Sequence, residues 1–390
     1  MTPELLAELT EPAGRTALEL AEGYTGADPL VAAHRLRGHG IAPVLAAAAL
    51  TQADLRARAV GKFGSDAARM FFTRAGLEQA TRGPVAARRA ARLTTAGVPA
   101  VADLGCGIGA DALAFARAGI RVLAIDSDPL TVAVARYNAE ALGLDGLIEV
   151  RHGDARAADL STVDGVFCDP ARRRGTARVF DPRAYSPPWD FVVGLAARVP
   201  HTVLKVAPGI DHALVPPGAE AEWVSVDGDV VEATLWCGPL ASARHRATLL
   251  PSGVQLTGPG TVRAPVGPVR RYLYEPDGAV VRAHLVAEFA STVGGVLADP
   301  EIAYVYADRP VDTPYARGYE VLAVLPFSVK RLRAALRERG VGRLTVKKRG
   351  SALDPDDLRR SMRLTGDAAA TVVLTRVAGA PTALIVDPLR

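Results

Sequence analysis

Asp103-Leu104-Gly105-Cys106-Gly107-Ile108-Gly109 is the stretch whose reading decides the fold. It closes a short apolar run beginning at Val98 and leads into a segment from Asp111 with helical spacing, so it reads as a strand-to-helix turn. Glycines at such a turn let the backbone come close to a ligand. The spacing is GxGxG, with an acidic residue two positions before the first glycine. A dinucleotide site would show GxGxxG and hold a pyrophosphate on the helix N-terminus. Here Asp103 suits a ligand that presents an ammonium instead.

Two more carboxylates extend the site. Asp126 ends the next apolar strand, nineteen residues beyond Gly107, where it can accept both hydroxyls of a ribose. Asp154, after the third strand, is placed to accept from an adenine amino group. Ammonium, ribose and adenine are the parts of S-adenosylmethionine, so Asp103, Gly105, Gly107, Gly109, Asp126 and Asp154 are the expected cofactor residues. The competing reading is that these acids only cap the helices that follow them.

Apolar strands and helices alternate from residue 98 to the strand containing Val203–Val206, which predicts an α/β domain with a parallel sheet covered on both faces. Residues 221–229 and 230–238 are two strands with no helix between them, an antiparallel ending atypical of dinucleotide dehydrogenases. Residues 1–95 show helical periodicity punctuated by Asp28-Pro29 and Ala42-Pro43, and predict a small helical domain. Residues 250–268 are rich in Gly and Pro and read as a connector. Beyond them, strands and helices mix as in an α+β unit.

Residues 98–240 resemble a class I S-adenosylmethionine-dependent methyltransferase with its Rossmann-like fold. The resemblance extends upstream through Lys62-Phe63, Met70-Phe71-Phe72-Thr73-Arg74 and Gly76-Leu77-Glu78-Gln79-Ala80-Thr81, and downstream from about 268. It is to bacterial methyltransferases carrying a THUMP-like C-terminal domain. It implies an N-terminal helical domain over 1–95, a methyltransferase core over 96–250 and a THUMP-like α+β domain over 268–390, with RNA as partner and substrate class. The segment through Lys62, Gln79 and Thr81 either folds over the cofactor or is a purely structural bundle.

The fourth strand ends in Cys168-Asp169-Pro170-Ala171-Arg172-Arg173-Arg174, at the sheet edge where open α/β folds place chemistry. Methyltransferases acting on exocyclic amino groups carry an acid or amide here, then two prolines and an aromatic. The acid and the first Pro carbonyl accept the two amino hydrogens and aim the nitrogen lone pair. Asp169 and Pro170 are therefore the expected catalytic pair. Ala171 and Arg172 depart from the pattern, so a stacking ring must come from elsewhere; Tyr185 and Trp189 are the candidates, against the alternative that Trp189 packs under its helix. Asp-Pro-Ala-Arg also resembles RNA uracil-5 methyltransferases, but those need a cysteine after the fifth strand, and Val203–Gly209 has none. Strand alternation turns Cys168 away from Asp169.

Of 46 basic residues five are lysines, so isolated arginines say little and clusters say more. Arg172 and Arg173, with Arg174, Arg178 and Arg183, crowd the loop after Asp169 and could neutralise phosphates, or simply be solvated. Lys205 on the fifth strand could line the site or snorkel outward. Between Lys330 and Arg363 twelve basic residues stand against four acidic ones, an excess larger than the chain's net charge of +4. Lys347, Lys348 and Arg349 are the expected phosphate contacts there.

Three scattered cysteines give no disulfide or metal spacing, and no run approaches the length needed to span a bilayer. A cytoplasmic enzyme with no metal and no membrane partner is expected. Its expected reaction is methyl transfer to a nitrogen of an RNA nucleobase. A methyltransferase of small molecules or proteins would not need the basic C-terminal segment. A non-catalytic RNA-binding protein with a relic cofactor fold would not need Asp169.

Overall fold

The computed structural model describes residues 1–170 and 185–389 and, as backbone alone, the strands β5 (Arg173–Arg174) and β6 (Ala177–Arg178). The chain divides into two compact units, Met1–Ala219 with Ala233–Ser242, and Glu220–Glu232 with Ala243–Arg390.

The first unit begins with six helices: α1 (Pro3–Thr10), α2 (Pro12–Glu22), α3 (Pro29–Gly38), α4 (Pro43–Phe63), α5 (Arg74–Gln79) and α6 (Gly83–Thr95). Pro12, Pro29 and Pro43 each occupy a first turn, where a missing N–H costs nothing, and Asp28 caps α3 by accepting from Leu30 and Val31.

Alternation follows: β1 (Ala100–Leu104), α7 (Ala110–Arg117), β2 (Arg121–Asp126), α8 (Pro129–Ala141), β3 (Ile148–His152), β4 (Gly165–Cys168), α9 (Trp189–Arg198) and β7 (His201–Val206). These strands lie in the order β7-β4-β1-β2-β3, all parallel. The sequence predicts this, because β1 and β4 are apolar at nearly every position, as strands covered on both faces must be. Strand β8 (Glu220–Val226) precedes β9 (Asp229–Trp236) with no helix between them, and the Ala233–Trp236 end of β9 runs antiparallel to β7.

The N-terminal helices and the sheet share one apolar core. Leu6, Leu18, Leu45 and Ala49 belong to the same buried cluster as Leu113, Phe115, Val134 and Phe167. Two buried amides reinforce the join. Gln52 on α4 donates to the Phe72 carbonyl (2.7 Å) and accepts from its N–H (3.0 Å). Asn138 on α8 does the same for Phe71, and also donates to the carbonyl of Ile108 in the glycine turn (2.9 Å). A cleft of about 770 Å³, lined by Leu18, Arg56, Phe71 and Tyr137 among others, shares no residue with that turn.

In the second unit β10 (His245–Leu250) pairs parallel with β8 and antiparallel with β11 (Val254–Gly258). The rest comprises β12 (Tyr272–Pro276), α10 (Gly278–Arg282), α11 (Val286–Thr292), β13 (Val296–Leu297), β14 (Val305–Ala307), β15 (Ala316–Pro326), α12 (Val329–Glu338), β16 (Val341–Lys348), α13 (Pro355–Met362), β17 (Ala368–Val377) and β18 (Ala380–Pro388). Its sheet runs β13-β14-β12-β15-β18-β17-β16. Leu332 and Leu336 of α12 and Leu358 and Met362 of α13 bury against one face. Tyr304 and Tyr306 join the core of the other. Two features differ from the sequence reading. Strand β12 is masked by the Pro- and Arg-rich run before it, and the helical periodicity of Val280–Ala290 is split between α10 and α11 at His284, whose φ is 58°.

Candidate functional site

The glycine turn leaves β1 with all three glycines at positive φ: 85° at Gly105, 56° at Gly107 and 90° at Gly109. Gly105 is required twice over, since a Cβ there would also stand 2.9 Å from the carbonyl oxygen of Asp169. That close approach, with the Asp169 N–H donating to the Leu104 carbonyl (3.2 Å), brings the end of β4 against the turn. Asp103 and Asp169 therefore belong to one site.

Asp103 is fully buried, and among the described residues nothing donates a hydrogen bond to either of its carboxylate oxygens. Burial holds its pKa well above the ordinary range, and the like charges of Asp111 and Asp169 push the same way; Arg89 opposes them, and Asp126 adds to the rise. A buried carboxylate of this kind, among other carboxylates, fits a ligand ammonium. Asp126 is half-buried at the end of β2. Its Oδ2 accepts from Gly107 N–H and its Oδ1 from Asp128 N–H, both at 3.0 Å, which fixes the carboxylate beside the turn. Each oxygen keeps a second lone pair for a ribose hydroxyl.

Asp154 is exposed. It caps the turn Ala155–Ala157 by accepting from Arg156 N–H (2.9 Å) and pairs with the Arg156 guanidinium (2.5 Å), which lowers its pKa. The solvent-screened pair is weak, so an adenine amino group can compete for Asp154.

Asp169 is about a quarter exposed and Pro170 is buried. The nearly buried Lys205 ammonium donates to Asp169 Oδ2 at 2.6 Å and to Thr81 Oγ1 at 2.8 Å. Lys205 thus points into the site, the first of the two orientations its sequence position left open. Thr81 donates to Asp111 Oδ2 (2.6 Å), and Arg89 binds Oδ1 of the same carboxylate. The guanidinium of Arg89 also lies 4.4 Å above the Phe167 ring. Sequence reasoning missed Arg89 and Asp111. Asp111 had a weak signal, a carboxylate two residues past the last glycine, whereas Arg89 had none in an arginine-rich helix.

Lys62 donates to the carbonyls of Leu77 (2.6 Å), Glu78 (2.9 Å) and Ala80 (2.8 Å), closing the C-terminal end of α5. Burial and the charge of Lys205 bring its pKa down to about 8. It is a helix cap, and Gln79 is exposed. Tyr185 and Trp189 are both buried, at 4% and 7% exposure, with Trp189 in the first turn of α9. Cys168 is buried, and its thiol is pushed well up by burial and by Asp169 and Asp103. Arg172, Arg183 and the side chains of Arg173, Arg174 and Arg178 lie outside the described residues.

In the second unit the three expected phosphate contacts are not alike. Lys347 pairs with Glu275 (2.5 Å) and lies 5.7 Å from the centre of the Tyr319 ring. Burial works against its charge, but Glu275 outweighs that and raises its pKa. Arg349 donates to the Ala303 carbonyl and stacks over Tyr304. Lys348 is exposed, as are Lys330, Arg331, Arg337, Arg339 and Arg343. Among the described residues no group of three or more His, Cys, Asp or Glu is arranged to hold a metal, and no helix is long and apolar enough to cross a membrane.

Comparison with known proteins places these features in a family. Residues 101–174 match a family model described as a methyltransferase domain, residues 316–388 one described as THUMP domain-like, and residues 2–59 a domain of unknown function. Uncharacterised S-adenosylmethionine-dependent methyltransferases of Mycobacterium tuberculosis, strains CDC 1551 and H37Rv, are each 38% identical over 336 residues, 83% of this chain and 90% of theirs. The crystal structure of a candidate methyltransferase from Porphyromonas gingivalis W83 shares the fold with a TM-score of 0.77, at 20% identity over 96% of this chain and 98% of that one. The chain belongs to the class I S-adenosylmethionine-dependent methyltransferases that carry a THUMP-like C-terminal domain, and S-adenosylmethionine is its cofactor.

Proposed function

We propose that this enzyme methylates a nitrogen of an RNA nucleobase. The observation that carries the chemistry is Asp169, held at the carboxyl end of β4 against the glycine turn and followed directly by Pro170. When bound, the cofactor supplies an electrophilic methyl on a sulfonium. Asp169 and the Pro170 carbonyl accept the hydrogens of an exocyclic amine and direct its lone pair; the nitrogen sheds a proton only once it carries the methyl, through Asp169 Oδ1 to solvent, so orientation rather than a strong base lowers the barrier. Asp103, Asp126 and Asp154 are assigned to the ammonium, ribose and adenine. Support for RNA comes from the match of residues 316–388 to a THUMP-like model and from the basic excess within 330–363.

Transfer of tritiated methyl from S-adenosylmethionine into total RNA, protein and small-molecule fractions tests this reading. Wild type is expected to label RNA, and Asp169→Ala to lose ~10²-fold of that rate. Label confined to protein or to small molecules would replace RNA with the labelled class. Cofactor binding without transfer into any fraction would favour a relic fold.

The basic residues sort by their partners. Neutralising Lys348 and Arg343 is expected to weaken RNA binding and flatten its salt dependence, by about 0.7 in the log–log slope for each phosphate that is no longer neutralised. Lys347→Ala is expected to lower thermal stability instead, because it leaves Glu275 without its counter-charge. An unchanged slope in the Lys348 and Arg343 variants would remove them from the RNA surface.

A further inference from the structure

Lys205 stands on an otherwise apolar interior stretch of β7, where a lysine is expensive and an aliphatic residue would pack at lower cost. The hydrogen bonds around it have a forced direction. Asp111 can only accept, so the single Thr81 hydroxyl hydrogen is committed to it, and the Thr81 oxygen must accept from Lys205. Arg89 holds the other oxygen of Asp111. The ammonium is therefore anchored from the α6 side and delivered to Asp169 Oδ2. Asp169 Oδ1 has no partner among the described residues.

Resting on the assignment of Asp169 as the acceptor-orienting carboxylate, we propose that Lys205 is a positioning residue for methyl transfer. It holds Asp169 in one rotamer, with Oδ2 engaged and Oδ1 alone offered to the acceptor. An acceptor amine then gives one N–H to Oδ1 and the other to the Pro170 carbonyl. Its nitrogen is set by two fixed points rather than by a swivelling carboxylate. Thr81 and Arg89, contributed by the segments before β1, become indirect supports of the acceptor site.

The test is a double-mutant cycle on tritiated methyl transfer from S-adenosylmethionine into total cellular RNA, using the full chain. Lys205→Met is expected to lower kcat by ~10²-fold while the KM for S-adenosylmethionine stays within about twofold, and Lys205→Arg to recover part of the loss. Combined with Asp169→Ala, Lys205→Met should add nothing further. If Lys205→Met does not fold, the near-isosteric Lys205→Gln takes its place with the same expectation. Wild-type kcat in the uncharged variant, a loss confined to KM, or losses that multiply in the double variant would each overturn the proposal. If wild type labels protein or small molecules instead of RNA, the RNA reading alone falls and the cycle is decided on the labelled fraction. No label in any fraction overturns both.

Discussion

Asp103→Asn is expected to weaken S-adenosylmethionine binding by on the order of 2–5 kcal/mol while making the ligand-free protein more stable. The two effects share one cause. In the folded chain the carboxylate is fully buried, accepts no hydrogen bond from the described residues and faces Asp111, Asp169 and Asp126. Its charge is a burden until an ammonium arrives. Removing it spares the fold roughly 1–3 kcal/mol and removes the counter-charge the ligand needs.

The pH dependence has a definite sign. Because the folded pKa lies above the unfolded one, the folded state binds the Asp103 proton more tightly. Stability from this group is full below the ordinary value of about 3.8 and is lost as pH rises towards the elevated value. The advantage of the Asn variant should therefore be absent near pH 4 and grow towards alkaline pH. Thermal melts across that range, with and without S-adenosylhomocysteine, measure both halves. A variant that is less stable at every pH, or binds normally, would contradict the assignment.

Arg89→Met is expected to destabilise the protein by about 3–5 kcal/mol. Arg89 and Asp111 face each other at 2% and 7% side-chain exposure, so removing the cation strands a carboxylate in the interior. Loss of the guanidinium from the Phe167 ring adds to the cost. The decisive comparison is the double variant Arg89→Met with Asp111→Leu, which leaves no buried charge from this pair. It should recover most of the lost stability in urea unfolding, because an apolar replacement of a buried ion pair is often neutral or better. Failure to recover would mean that the pair matters through the Thr81 hydroxyl it orients rather than through its own charges.

The layout of the first unit was legible because it rests on local rules. Glycine spacing announces a left-handed turn, continuous apolar runs announce strands covered on both sides, and Pro29 and Pro43 announce helix starts. The surroundings of Asp169 were not legible, because they are assembled across long stretches of chain. Nothing near residue 205 says that its ammonium will meet Thr81, and nothing near residue 89 says that its guanidinium will meet Asp111. The same limit applied to Lys347 and Arg349. As sequence they look like a phosphate-binding run, yet Glu275 lies 72 residues upstream of Lys347 and Ala303 lies 46 before Arg349. Strand alternation places side chains on a face without saying what lies opposite. Tyr185 and Trp189 are both buried, which their place beside Pro187 and Pro188 in the sequence does not announce.

The amide pins at Gln52 and Asn138 bear on how this family can drift. Both side chains grip the main chain of Phe71 and Phe72, so the gripped residues can exchange one bulky side chain for another without breaking a bond. The gripping residues have no such latitude. Asn138 in particular serves the Phe71 backbone and the Ile108 carbonyl with the two ends of one short amide, and neither aspartate nor glutamine reproduces that reach and polarity. Helical segment and cofactor turn are thereby tied as one heritable module. A chimera joining the first 95 residues of one relative to the core of another keeps this tie only if the core parent supplies an asparagine at this position.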